Sequence, residues 1–160
     1  MTFKRWMYRG GRPHTLARVL NGGWARIHST GILPKNYVTL DVLGRRSGKT
    51  VSLPLAMAVV DGRRYLVSML GVNANWVLNV KAAGGRATLR HGGAEKVILT
   101  EVDAGQRAPI LKEYLRIAPG ARPHIPVDKD APLSEFEPIA VDYPVFRVEP
   151  AETSQPAAGR

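Results

Sequence analysis

Two apolar runs with the period of a strand, separated by a glycine turn, constrain this chain more than any other feature of its 160 residues. Val38, Leu40 and Val42 alternate with Thr39 and Asp41, and then Val51, Leu53, Leu55, Met57 and Val59 alternate with smaller residues. A period of two puts each apolar set on one face of an extended strand, an arrangement that a helix cannot bury. The second run ends at Asp61-Gly62, a dipeptide suited to a two-residue hairpin, and a third strand is expected over residues 64–70. Such short connections imply antiparallel neighbours, because parallel strands need a crossover of a dozen residues or more. Pro54 has no N–H to give to a ladder, so the second run should lie at an edge, a bulge or a gap in the sheet.

Helices and hairpins follow. Trp76, Val77 and Val80 recur at helical spacing between Asn73 and Ala83, with Asn73 or Asn75 available as the N-cap and Gly84-Gly85 as the stop. Residues 87–89 and 96–102 read as a hairpin across Gly92-Gly93, and 106–118 as a helix that buries Ile110, Leu111, Tyr114 and Leu115. The proline-rich stretch 119–132 reads as a long loop. A short helix from Ser134, with Glu137 at capping-box spacing, and a last strand over 145–148 complete the pattern. Ahead of the sheet, Leu16, Val19, Leu20, Trp24 and Ile27 keep helical spacing, with Arg18 and Arg26 between them. The expected organisation is a basic amphipathic segment over 1–30, a sheet domain over 31–150 and a disordered tail over 151–160. The expected class is α+β, an antiparallel sheet curled into a barrel with flanking helices.

Charge narrows the partners. The net charge is +10, yet residues 1–50 hold 10 Lys/Arg against the single acid Asp41, whereas residues 51–160 hold 13 against 12. A field concentrated in the first third attracts phosphates, anionic cofactors, nucleic acid or acidic lipid heads. Nucleic acid is not expected, because the strands carry few aromatics to interleave with basic residues. The absence of cysteine removes disulfides, thiol nucleophiles and thiolate-bound metal clusters. His14, His28, His91 and His124 lack metal-ligand spacing, so no metal is expected. No apolar run reaches signal-peptide or membrane-spanning length. The expectation is a cytoplasmic protein, with peripheral contact at the inner face of the cell membrane left open for the 1–30 segment.

Two segments carry chemistry. Gly44-Arg45-Arg46-Ser47-Gly48-Lys49-Thr50 imitates a nucleotide-binding P-loop, but that motif needs four residues between its glycines and this chain has three. Moreover, Thr50-Val51-Ser52-Leu53 continues as strand, whereas a P-loop opens a helix. Nucleoside triphosphate hydrolysis is therefore excluded. A tight turn with two glycines, two guanidinium groups, a hydroxyl and an ammonium can still cradle one phosphate, and equally can be a solvated hairpin tip. The second segment, from Ser68 to Asn79, runs from a strand through a glycine loop into a helix. Trp76 and Asn79, three apart, share one helix face. That face could offer an aromatic plane and an amide to a conjugated ring, or could simply anchor the helix to the sheet.

Taken in order, strand-Gly44-Arg45-Arg46-Ser47-Gly48, Pro54-Leu55, the Asp61-Gly62 hairpin, Ser68-x-x-Gly71 and Asn75-Trp76-x-x-Asn79-Val80 resemble the deazaflavin-dependent nitroreductase family of actinobacteria. The resemblance runs from about Val38 to Val148 and includes the closing Tyr143-Pro144-Val145-Phe146. It implies a split β-barrel related to the FMN-binding oxidoreductases, and hydride transfer from reduced coenzyme F420 to an activated alkene, quinone or nitro compound. It further implies that Arg45, Arg46, Ser47 and Gly48 bind the coenzyme phosphate and that Pro54 and Leu55 line the deazaflavin ring. Ser68 would sit near the reactive face, and Trp76 with Asn79 would pack beside the coenzyme.

This chain departs from the family pattern at two places. Relatives often carry a further basic residue after the turn and a lysine after the serine, for the acidic coenzyme tail; here Val51 and Met69 stand there, leaving Lys49 and the basic N-terminal segment to meet the tail. His124, Phe136 and Tyr143 stand where the nitroimidazole-activating relative has tyrosines, so nitro-drug activation does not carry over. Tyr143 and His124 are the candidate proton donors, beside bulk water. Two other readings keep to the sequence: an FMN- or other cofactor-binding split barrel without turnover, and a basic membrane- or nucleic-acid-binding module. A small-molecule substrate and a homodimer are compatible with the first reading.

Overall fold

The computed structural model describes residues 36–151. The amphipathic segment expected over 1–30 lies outside the described residues, as does the expected tail beyond Ala151, whose own N–H still bonds the Lys96 carbonyl at 2.9 Å.

Six strands, β1 (Tyr37–Leu43), β2 (Thr50–Val60), β3 (Arg63–Val67), β4 (Arg86–Arg90), β5 (Ala94–Glu101) and β6 (Val145–Pro150), close into a barrel in the order β1-β2-β3-β6-β5-β4. Every neighbouring pair is antiparallel. The alternation read from the sequence separates two cores, one inside the barrel and one outside. Inside lie Val38, Leu40, Val42, Leu66, Leu89, Val97, Leu99, Phe146 and Val148, plugged by Trp76, Val77 and Val80 of helix α1 (Asn75–Ala82). Outside, Ala56, Ala58, Tyr65 and Val67 meet Ile110, Leu111, Tyr114 and Leu115 of helix α2 (Ala108–Ile117), with Phe136 of the short helix α3 (Leu133–Phe136) buried among them. Leu66 thus faces in while Tyr65 and Val67 face out, as strand period requires.

The Asp61-Gly62 hairpin forms with φ of 52° and 76°, the left-handed pair of a type I′ turn. Pro54 sits where the sequence placed a gap. β2 pairs with β1 over Thr50–Ala56, Thr39 opposite Pro54, and its pairing with β3 begins only at Met57 opposite Leu66. From Thr50 to Ala56 one side of β2 is open, so the missing Pro54 N–H costs no ladder bond.

Five local expectations change. The third strand ends at Val67 rather than residue 70, because the Ser68 N–H turns to the Pro144 carbonyl at 2.9 Å and the Gly71 N–H folds back onto the Ser68 carbonyl. Helix α1 starts after Ala74 with no side-chain cap bond, so neither asparagine is its N-cap. The stretch 119–132 is not all loop: Pro119–His124 forms a 3₁₀ helix. Helix α3 follows Pro132 rather than Ser134, again without a capping bond; proline fits there because a helix start leaves N–H groups unpaired in any case. The second long helix also divides, a 3₁₀ turn Ala104–Gln106 preceding α2. Among the described residues no helix is long and apolar enough to cross a membrane.

Candidate functional site

The basic turn joins two strands rather than a strand and a helix, which disposes of the P-loop comparison structurally. Leu43 pairs with Thr50, and between them the Gly44 N–H bonds the Lys49 carbonyl at 2.8 Å while the Gly48 N–H bonds the Gly44 carbonyl at 3.0 Å. Both glycines are needed. Gly48 has φ of +69°, and a Cβ on Gly44 would lie 2.7 Å from Ser47 Oγ and 3.1 Å from the Lys49 carbonyl oxygen. The Ser47 hydroxyl accepts from the Lys49 N–H at 3.1 Å, which folds it over the turn.

Nothing among the described residues neutralises the charge at the turn. Among the described residues Arg45, Arg46 and Lys49 form no ion pair with an acid, although seven other ion pairs are present. The N–H groups of Arg46 and Ser47 are likewise unspent within the described residues. Two adjacent amides, a hydroxyl and three cations form an exposed donor set suited to a phosphate oxyanion. Its link to the rest of the molecule is Asn79, whose Oδ1 accepts from the Arg45 N–H at 3.1 Å and from Arg45 Nη1 at 2.8 Å.

The open side of β2 supplies a second feature beside the turn. Leu53, Leu55 and Met57 alternate on the inner face and pack only partly against the interior core, as does Leu70 beyond the end of β3. Leu53 and Leu70 were not singled out from the sequence, although the alternation of Leu53 with Leu55 was the available signal. Pro54, one residue from Leu55, belongs to the opposite face of the strand. Ser68 is buried, its hydroxyl donating to the Gly71 carbonyl at 2.7 Å, and so fixes the loop that leads into α1. Met69 packs partly against the outer core rather than standing in solvent as a charge would.

Trp76 and Tyr143 make contacts elsewhere. Trp76 is 8% exposed and packs on Phe146, ring centroids 5.5 Å apart and planes inclined at 59°, which makes it the anchor of α1 in the barrel. Tyr143 belongs to the outer core and His124 ends the 3₁₀ helix Pro119–His124. Burial, and then the neighbouring Asp142 carboxylate, push the Tyr143 phenol above its usual value. Nothing in the residue pattern pointed to Arg107, a buried guanidinium that holds this segment. Arg107 donates to the carbonyls of Val102 (2.8 Å), Ala140 (3.0 Å) and Tyr143 (3.4 Å) and to Glu101 (3.0 Å). A lone arginine before a helix has no pattern that distinguishes it from a solvated one.

A closed antiparallel barrel, open along half of β2 and plugged by one helix, defines a split β-barrel protein. Two solved structures with TM-scores above 0.5 share the fold. A chain described as a domain-swapped dimer is 21% identical, with a TM-score of 0.53 over 84% of this chain and 93% of that one. A protein of unknown function from Agrobacterium tumefaciens is 10% identical, with a TM-score of 0.53 over 81% of this chain and 54% of that one. An F420-H2 dependent reductase is 23% identical over 73% of this chain and 96% of that one, with a TM-score of 0.46. No curated protein matches. The family model of the F420H(2)-dependent quinone reductases matches residues 21–122, and the chain belongs to that family. It is accordingly an oxidoreductase whose coenzyme is F420.

Proposed function

We propose that the protein passes a hydride from reduced F420 to a quinone, with the coenzyme phosphate on the 44–49 turn and the reacting rings along the open side of β2. The observation that carries this reading is the turn: three cations without an acid partner and two unspent amides among the described residues, held beside an apolar strand edge. The family name favours a quinone over an alkene or nitro acceptor. When bound, reduced F420 supplies a low-potential hydride, and the acceptor takes up a proton with it.

The chain's own part is position and electrostatics. Arg45, Arg46, Lys49 and the amides of Arg46 and Ser47 hold the anion. Leu53, Leu55 and Leu70 offer apolar surface to flat rings, and Ser68, tied to Gly71, keeps the adjoining loop in place. The Tyr143 hydroxyl is committed elsewhere, so solvent supplies the proton.

Fluorescence titration with F420 and with FMN, followed by reoxidation of reduced F420 with quinones, enones and nitroaromatics, tests the proposal. Saturable F420 binding with quinones as the fastest acceptors is expected. Tight FMN retention without response to F420 would overturn it. Faster turnover of an enone would overturn the acceptor alone.

A further inference from the structure

The bond between the turn and α1 has a chemistry of its own. Asn79 is 5% exposed, and its one carboxamide oxygen accepts both the backbone N–H and the Nη1 of Arg45, 34 residues away in sequence. Two bonds from one residue to one oxygen fix the backbone and the guanidinium of Arg45 together. The acceptor is neutral. A carboxylate in the same place would hold Arg45 as firmly but would cancel its charge and occupy its fork, as Asp41 does to Arg90 and Glu95 does to Arg64, both bidentate. Those two arginines are thus paired with acids, whereas the arginine of the turn has an amide.

We infer that Asn79 is a positioning residue which acts through Arg45: it orients the guanidinium toward the phosphate of the ligand and leaves the positive charge intact, rather than packing against the coenzyme itself. The inference rests on reading the turn as the phosphate site. On this account Asn79 sets affinity for the phosphate-bearing end of the ligand and is indifferent to the ring.

Four variants, Asn79→Asp, Asn79→Ala, Arg45→Ala and the double variant Arg45→Ala/Asn79→Asp, test it on the full chain. The readouts are thermal unfolding, the dissociation constants of F420 and of the deazaflavin riboside that lacks the phosphate, and kcat and KM with reduced F420. Asn79→Asp should unfold at or above the temperature of Asn79→Ala, because it regains a partner for Arg45. Its affinity for F420 should nevertheless be the weaker of the two, about tenfold or more below wild type. A structural role alone would make the two orders agree. The phosphate-free riboside should bind all variants alike, the loss should lie in KM with kcat kept, and the double variant should bind F420 no more weakly than Arg45→Ala. Equal loss of the riboside in Asn79→Asp, or F420 affinity that follows stability, would overturn the inference. If Arg45→Ala itself leaves F420 binding unchanged, the phosphate-site reading fails instead, so the two failures are distinct.

Discussion

The Tyr143 hydroxyl donates to the backbone carbonyl of His124 at 2.9 Å. The two candidate proton donors are thus partners of one another in a structural contact that ties the 3₁₀ helix Pro119–His124 to the entry of β6. A phenol that is spent on a carbonyl, and that burial holds in its neutral form, is a poor source of a transferable proton. Tyr143→Phe should accordingly cost about 0.5–1.5 kcal/mol of stability, the worth of one hydrogen bond. Its kcat should stay within about twofold of wild type, whereas loss of a general acid would lower it by about a hundredfold or more. Steady-state kinetics beside a denaturant titration separates the two.

Arg46 differs from Arg45 in having no hydrogen bond or ion pair to lose among the described residues. It is exposed, and among the described residues neither its side chain nor its N–H has a partner. Arg46→Ala should leave the unfolding midpoint unchanged within about 0.5 kcal/mol. The KM for reduced F420 should rise about tenfold or more, as expected for a hydrogen bond to a charged group, with kcat retained. The effect should shrink as salt is added, because exposed charges are screened over about 10 Å at 0.1 M ionic strength. A fall in kcat without a change in KM would remove Arg46 from the phosphate set.

Strand period and turn chemistry made the barrel legible. The alternation at Val38, Leu40 and Val42 and again from Val51 to Val59 carried β1 and β2, Asp61-Gly62 carried the hairpin, and Pro54 correctly marked the stretch where β2 lacks a second neighbour. What failed was chemistry decided by tertiary contact. Asn73 and Asn75 were both suited to capping, yet Ala74 is the N-cap of α1 and no side-chain bond caps it. The Trp76/Asn79 face left two uses open, a surface for a ring or an anchor for the helix, and spacing alone could not show that Trp76 packs on Phe146 while Asn79 bonds Arg45. The donor set of the turn was legible as a motif; the neutral link that orients it was not, because it joins residues far apart in the chain.

Gly85 shows how tightly α1 is fastened where the sequence indicated only a helix stop. Its N–H bonds the Val80 carbonyl at 2.9 Å, its carbonyl accepts from the Leu99 N–H at 2.8 Å, and its φ is +85°. A Cβ there would lie 2.6 Å from the Leu99 carbonyl oxygen, a backbone atom that cannot step aside. Gly85→Ala should therefore cost more than the ~1–2 kcal/mol of a left-handed alanine alone. Gly84→Ala, also at positive φ but with open space around its Cβ, should cost only that amount. Equal unfolding midpoints for the two variants would show that the contact with β5 relaxes.

Alkaline pH tests the outer core through Tyr114. Burial, with a smaller contribution from Tyr37, pushes its phenol well above the ordinary tyrosine value of 10.0. Because the folded state holds the proton more tightly than the unfolded state, the stability associated with Tyr114 is complete below pH 10. It declines as the pH rises past that value toward the folded-state pKa, by at most about 1.4 kcal/mol per pH unit for one group. Tyr114→Phe keeps the ring against Ile110, Leu111 and Leu115 and removes the titration. The variant should match wild type at pH 7 and lose less stability between pH 10 and 11, as read by denaturant midpoints at each pH. Parallel alkaline losses in the two proteins would mean that the phenol reaches water in the folded state and that α2 packs less closely on β2 than the buried ring implies.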